Sequence, residues 1–203
     1  MTSVLVFGGT FDPVHNGHLT IARQARAGAG AEAVWFVPAA LAPLREPPVA
    51  TPQERLELLT AATDGEPSLV VLDLAVRRGG VSYTADTMDA LRSEYPDLDL
   101  SVLIGADAAR TIAAWERAED LLRRERFVVV NRAGPPLLTA AELHERGFSL
   151  QRTKLLSVES PDISASEVRR RRRRGEPLDG LVPDVVAALI EAKGMYLSNR
   201  DDA

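Results

Sequence analysis

An α/β fold, doubly wound, with a mainly parallel sheet and helices on both faces, is what this sequence predicts, and three observations predict it. Short apolar runs recur along the whole chain, these runs are rich in β-branched residues, and stretches of helical length with one apolar face separate them. Continuous hydrophobicity, as opposed to alternation, marks strands covered on both sides, which is where a parallel sheet places them.

Taken in order, strands are expected at 3–7 (SVLVF), 33–37 (AVWFV), 69–76 (LVVLDLAV), 100–104 (LSVLI), 127–130 (FVVV) and 155–158 (LLSV). Helices are expected at 17–28, 52–63, 84–94, 107–124 and 139–146, and then at 164–174 and 183–193. Gly8 and Gly9 end the first strand, and the proline-rich stretches 42–52 and 131–139 read as loops. The chain is expected to form a single Rossmann-like domain over 1–203, with a C-terminal helical part at about 160–197.

Composition narrows the function. The 203 residues are 45% hydrophobic and 26% charged, enough for one well-filled core. A net charge of -5 excludes a general attraction to nucleic acid or to anionic membrane. With no cysteine, disulfides, thiolate nucleophiles and cysteine-held zinc or iron–sulfur centres are excluded together. The start MTSVLVFGG lacks a basic segment followed by a long apolar one, and no run approaches ~18 apolar residues, so a cytoplasmic protein is expected. Lysine occurs only at 154 and 193, so any lysine-type task falls to arginine.

In such a fold, ligands gather outside the carboxyl ends of the strands. The candidate site is therefore built from Gly8 to His18, Pro38 to Arg45, Gly105 to Asp107 and Asn131 to Gly134. Gly8 and Gly9 let the backbone turn tightly and approach a ligand, and the N–H groups of Gly9, Thr10 and Phe11 can point outward beside the positive end of the following helix. Neither G-x-G-x-x-G nor a Walker loop is present, and a plain strand-to-helix turn is the other reading. His15 and His18 stand three apart, expected on one face of the first helical turn, where they can donate to phosphate oxygens. No third ligand sits beside them, so no metal centre is expected. His144 reads as a solvated helix residue.

Near the C-terminus, PDISASEVRRRRRRG places Ser164 three residues before Glu167, the spacing of a capping box that starts a helix. Ser166 and Arg169 then share a face on which phosphate can bind. Arg170 to Arg174 go all round that helix and are expected in water. Gly105 and Asp107 in IGAD suit either a ribose contact or a helix cap. SYTADT, 82–87, reads as a further helix start, and Trp115 as core or as the wall of an aromatic site.

Taken together, GGTFDPVHNGH and ISASEVR resemble the G-[ST]-F-D-P-x-H-x-G-H and I-S-[AS]-[ST]-x-[IV]-R pair of the nucleotidyltransferase family, and within it the nicotinate-nucleotide adenylyltransferase branch. The resemblance runs from the first strand to KGMYL at 193–197 and includes SYTADT, IGAD, the Trp115 segment and NRAG. It implies ATP and nicotinate mononucleotide as substrates, Mg2+ accompanying ATP, deamido-NAD and pyrophosphate as products, and direct attack without a covalent enzyme intermediate. It also implies that His15, His18 and Arg169 are catalytic, and that Gly8, Gly9, Thr10, Phe11, Gly105, Asp107, Ile163, Ser164 and Ser166 bind ATP. Arg45, Tyr83, Thr84, Trp115, Glu116 and Arg132 would bind the mononucleotide. Where many relatives carry Asn, then His followed by Lys or Arg, this chain has PAALAPLRE, so Arg45 stands in for the basic residue and Arg132 is expected to help. A homodimer or larger assembly is implied as well. Rival readings are a different acceptor, nicotinamide mononucleotide among them, a nucleotide-binding regulator without turnover, and an RNA-docking module led by Arg169 to Arg174.

Overall fold

The structure is a computed structural model that describes residues 2–43, 46–132, 134 and 136–197. In chain order, β1 (Ser3–Gly9), α1 (Asn16–Ala29), β2 (Ala33–Pro38), α2 (Pro52–Thr63), β3 (Leu69–Val71), α3 (Leu74–Arg78) and α4 (Thr84–Glu94) build one half. The other half holds β4 (Asp99–Gly105), α5 (Ala106–Arg110), a 3-10 turn (Ile112–Ala114), α6 (Ala118–Arg124), β5 (Arg126–Arg132), α7 (Ala140–Glu145) and β6 (Thr153–Val158). Helices α8 (Ala165–Arg173) and α9 (Asp184–Ala192) follow. Among the described residues the strands form one parallel sheet in the order β3-β2-β1-β4-β5-β6.

Alternation along each strand divides the core in two. Leu5 and Phe7 of β1, with Leu103, Val128 and Val130, face α1, α2, α8 and α9. Val4 and Val6, with Val102, Ile104, Phe127 and Val129, face α4 to α7. Both faces of the central strands are thus covered, as their unbroken hydrophobicity requires. Strand order reverses between β1 and β4. Their pairing runs from Ser3↔Asp99 to Val6↔Val102, while β1 goes on to Gly9 beside β2 and β4 to Gly105 beside β5. The two strands part at their carboxyl ends, and a crevice opens where the fold favours ligands.

Two expected elements differ. The run 69–76 is a strand only to Val71; Leu72 gives its N–H to Phe36 O at 2.9 Å, and α3 then begins after Asp73, whose carboxylate meets Arg77 Nε at 2.9 Å. A short apolar run cannot by itself distinguish a buried strand from a buried helical turn. The helix expected over 107–124 is broken into α5, the 3-10 turn and α6, with Trp115 extended and Arg117 at φ 55°. No glycine or proline marks that break; contacts from another helix hold it. Among the described residues no helix is long and apolar enough to cross a membrane.

Away from the crevice, Arg92 ties α4 to Glu125, the residue between α6 and β5. Its guanidinium meets the Glu125 carboxylate at 3.1 Å from Nε and 2.5 Å from Nη2, and Glu125 is only 2% exposed. Removing the arginine leaves a buried carboxylate unpaired. Arg92→Ala is therefore expected to lower the unfolding free energy by about 3 kcal/mol in urea titration, and adding Glu125→Gln should restore part of it. A loss below about 1 kcal/mol would mean that water already solvates Glu125.

Candidate functional site

The site grows from the turn after β1. A Cβ on Gly9 would lie 2.7 Å from Phe11 Cζ, so glycine is required there by the ring folded back over it. Phe11 takes φ 50° and is buried against Phe7, Phe36 and His18, with ring centres 5.6, 5.5 and 5.0 Å away. Gly8 and Gly105 stand at the carboxyl ends of the two diverging strands, and nothing lies within 4 Å of where their Cβ atoms would be. Bare backbone lines the crevice on both sides.

His15 is the N-cap of α1 and does not sit on its first turn as expected; the helix starts at Asn16. The two histidines still meet, ring on ring, with centres 3.6 Å apart and planes at 26°. Gly17 permits this, since a Cβ there would stand 3.0 Å from His15 Nδ1. His18 Nδ1 accepts the His15 backbone N–H at 3.3 Å, which leaves Nε2 as the nitrogen that carries the proton in neutral His18.

Facing this turn is the start of α8. Ser164 caps it by accepting the Glu167 N–H at 3.1 Å, but the reciprocal half of the expected capping box is absent: the Glu167 carboxylate turns to Arg170 and to Arg171 Nε, the latter at 2.9 Å. Some of the arginine run is thus engaged within its own helix. Ile163 is buried, anchoring the segment. Arg169 reaches across the crevice, with Nη1 2.8 Å from the Asp12 carbonyl and 3.8 Å from its carboxylate, while Nη2 meets Ser166 Oγ at 3.4 Å. From β5, Arg132 comes within 3.6 Å of Asp107 Oδ2, and Asp107 also accepts from Arg110 at 3.1 Å. Gly105 caps α5, so Asp107 is not its cap but an exposed first-turn carboxylate.

Two residues not named as candidates hold this assembly: Asp12, which lies within GGTFDPVHNGH, and Arg55, which lies in neither motif. Asp12, 4% exposed, accepts from Val49 N–H at 2.8 Å, Ala50 N–H at 3.1 Å and the Tyr196 hydroxyl at 2.9 Å. Burial first, and the Asp12 charge second, keep the Tyr196 hydroxyl protonated far above its ordinary range, as a donor must be. Arg55 is fully buried in α2 and donates to the carbonyls of Thr10 at 2.6 Å, Ala40 at 2.9 Å and Ala50 at 3.3 Å. Three loops share one guanidinium. Ala39 and Ala40 are buried and serve through their backbones, Ala39 N–H reaching Gly9 O at 2.9 Å. The TPQE capping box of Thr51 and Glu54 marks the helix that carries Arg55, but nothing in the sequence marks the arginine itself.

The remaining candidates form a second group. Ser82 Oγ accepts the Ala40 N–H at 3.0 Å, which seats Tyr83, the N-cap of α4, and Thr84 beside the end of β2. Trp115 is half-buried against the α4 side of the core, and Glu116 is exposed next to it. Arg45 lies outside the described residues. Among the described residues no group of three or more histidine, aspartate or glutamate side chains could hold a metal ion.

Burial first, and the Arg132 charge second, lower the His15 pKa to about 4. Since the unfolded chain then binds this proton more readily, the stability that neutral His15 gives is complete above its ordinary value of 6.5 and lost as pH falls through 4. The full effect is about 3 kcal/mol at pH 4. His15→Gln should make the drop in urea-measured stability between pH 7 and pH 5 smaller by about 2 kcal/mol; an unchanged drop would mean that His15 is solvated.

Comparison with known proteins fits this geometry. The cytidylyltransferase-like family model matches residues 6–171. A probable nicotinate-nucleotide adenylyltransferase of Herpetosiphon aurantiacus is 35% identical over 98% of this chain and 100% of its own length. Another, from Saccharopolyspora erythraea, is 37% identical over 98% of this chain and 91% of its own. The fold is also that of Plasmodium falciparum nicotinic acid mononucleotide adenylyltransferase complexed with NaAD, with a TM-score of 0.81 at 15% identity, covering 97% of this chain and 98% of the other. With its glycine turn, paired histidines and ISASEVR helix at the switch point of a parallel sheet, this chain belongs to the cytidylyltransferase-like family, among the nicotinate-nucleotide adenylyltransferases.

Proposed function

We propose that this enzyme joins ATP and nicotinate mononucleotide, giving deamido-NAD and pyrophosphate. A phosphate oxygen of the mononucleotide attacks the α-phosphorus of ATP; the new P–O bond forms as the bond to the β-phosphate oxygen breaks, and the electron pair leaves with pyrophosphate. The stacked histidine pair, held against bare strand-end backbone and faced by Arg169, is the observation that carries this reading.

Residue roles follow from the chemistry of each atom. His15 is neutral near pH 7, because a buried imidazole stacked on another avoids charge. His18 directs its Nε2 proton at the α-phosphate, where a donor gains strength as charge builds in the transition state. Gly8, Gly9, Thr10 and Phe11 hold ATP through backbone groups, Gly105 and Asp107 take the adenosine, and Ile163, Ser164, Ser166 and Arg169 take the β- and γ-phosphates. Tyr83, Thr84, Trp115 and Glu116 surround the pyridine ring, and Arg132 with Arg45 holds the mononucleotide phosphate. Magnesium enters as MgATP, part of the substrate, and no step is assigned to it. Catalysis is then positioning and electrostatic stabilisation, with no enzyme nucleophile. The same reading puts the enzyme in the cytoplasm, as a homodimer or a larger assembly.

Pyrophosphate release from ATP and magnesium should be fast with nicotinate mononucleotide and slow with nicotinamide mononucleotide at equal concentration. Equal rates would withdraw the acid preference, and no release with either would withdraw the reaction. His18→Ala should fold normally and lose about 100-fold in kcat; turnover near the wild-type rate would remove His18 from its role. Arg169→Ala should raise the KM for ATP more than that for the mononucleotide, and the reverse order would mean that the two substrates are exchanged across the crevice.

A further inference from the structure

Arg117 stands two residues after Trp115, where the chain leaves the 3-10 turn and enters α6. Its φ of 55° lies in the left-handed region that long side chains avoid, so contacts outside the residue must hold it. Those contacts come from two helices. Nη1 meets Asp89 Oδ2 at 2.7 Å and Asp86 Oδ1 at 3.5 Å, both on α4, and Nη2 meets Asp120 Oδ2 on α6 at 2.7 Å. Arg124 binds the same two carboxylates, Asp89 Oδ1 and Asp120 Oδ2, each at 3.0 Å, and Arg123 adds a contact to Asp120 Oδ1, also at 3.0 Å. A single exposed pair contributes little, but a network whose members share carboxylates across two helices can fix geometry.

The geometry fixed is that of two segments at once. α4 begins at Tyr83–Thr84, only a turn before Asp86, and the break in the helix leaves Trp115 and Glu116 immediately ahead of the guanidinium. We propose that Arg117 is a positioning residue that clamps the Trp115–Glu116 turn against the start of α4 and so sets the shape of the pocket for the acceptor's pyridine ring and its carboxylate. The inference rests on the adenylyltransferase reading above and deepens it. Arg117 touches neither substrate; it acts through the backbone of the turn. Its planar fork spans carboxylates on separate helices in a fixed geometry, which the point charge of a lysine ammonium on its flexible stem does not impose.

The test uses Trp35→Phe protein, in which Trp115 is the one remaining tryptophan. Arg117→Asn tolerates the left-handed backbone and removes the charge, while Asp89→Asn removes the partner on α4. Each change should raise the KM for nicotinate mononucleotide about tenfold and leave kcat and the KM for ATP within about twofold. The double variant should be little worse than either single one, as coupled residues behave, and Arg117→Lys should recover only part of the loss. Acrylamide quenching of Trp115, which needs no turnover, should rise in both single variants. Unchanged quenching overturns the proposal, and so does an equal rise in both KM values accompanied by a lower Tm. Trp35→Phe protein that quenches as expected but turns over no nicotinate mononucleotide would instead overturn the assigned reaction.

Discussion

Much of this molecule depends on one buried carboxylate. Asp12 accepts from two backbone amides, a tyrosine hydroxyl and, at longer range, Arg169, and the charge of buried Arg55 lies close enough to feel it. A carboxylate so placed costs several kcal/mol unless its partners are present together. The turn after β1, the segment at 49–50, α8 and the C-terminal Tyr196 must therefore assemble in one arrangement. Arg55 applies the same constraint from the other sign, by satisfying the carbonyls of Thr10, Ala40 and Ala50 with one buried guanidinium. Burial lowers its pKa, and the Asp12 charge opposes that shift and helps Arg55 to remain charged.

The chemistry follows from that assembly. A phosphate site needs donors fixed before the substrate arrives, since donors that must reorganise give up part of their advantage in the transition state. Asp12 supplies the fixing: it brings Arg169, 157 positions away in the chain, to its own carbonyl oxygen and so sets α8 opposite the histidine pair. Topology supplies the space, because β1 and β4 part past Val6 and Val102 and leave Gly8 and Gly105 open. The same contacts make the site part of the core of the α1 side, where Phe11 and Ile163 are both buried.

Sequence and structure meet unevenly along this chain. The parallel sheet was legible because Val4 to Phe7, Val102 to Ile104 and Phe127 to Val130 are buried on both faces, and burial of that kind writes itself as unbroken hydrophobicity. The glycine turn, His18, Ser166 and Arg169 stand out in the sequence through the two motifs, and the fold brings them to one crevice. The pairing of His15 with His18 was legible, but not the place of His15 as a cap, which depends on where the helix starts. The helix break at 111–117 was not visible, because carboxylates on α4 stabilise it from outside. Arg55 was hidden for the same reason: it looks like a surface helix residue until Thr10, Ala40 and Ala50 are seen to surround it.

The constraint can be tested at the atoms it acts on, by amide hydrogen exchange at Val49 and Ala50 in Asp12→Asn protein. An asparagine keeps the shape but offers one acceptor oxygen in place of two, so at least one of these amides loses its partner. Exchange at that amide should quicken by at least about tenfold while the amides of β4 and β5 keep their protection. Exchange at both amides as slow as in the wild type would contradict the account, and would mean that the segment at 49–50 holds its place without the Asp12 charge.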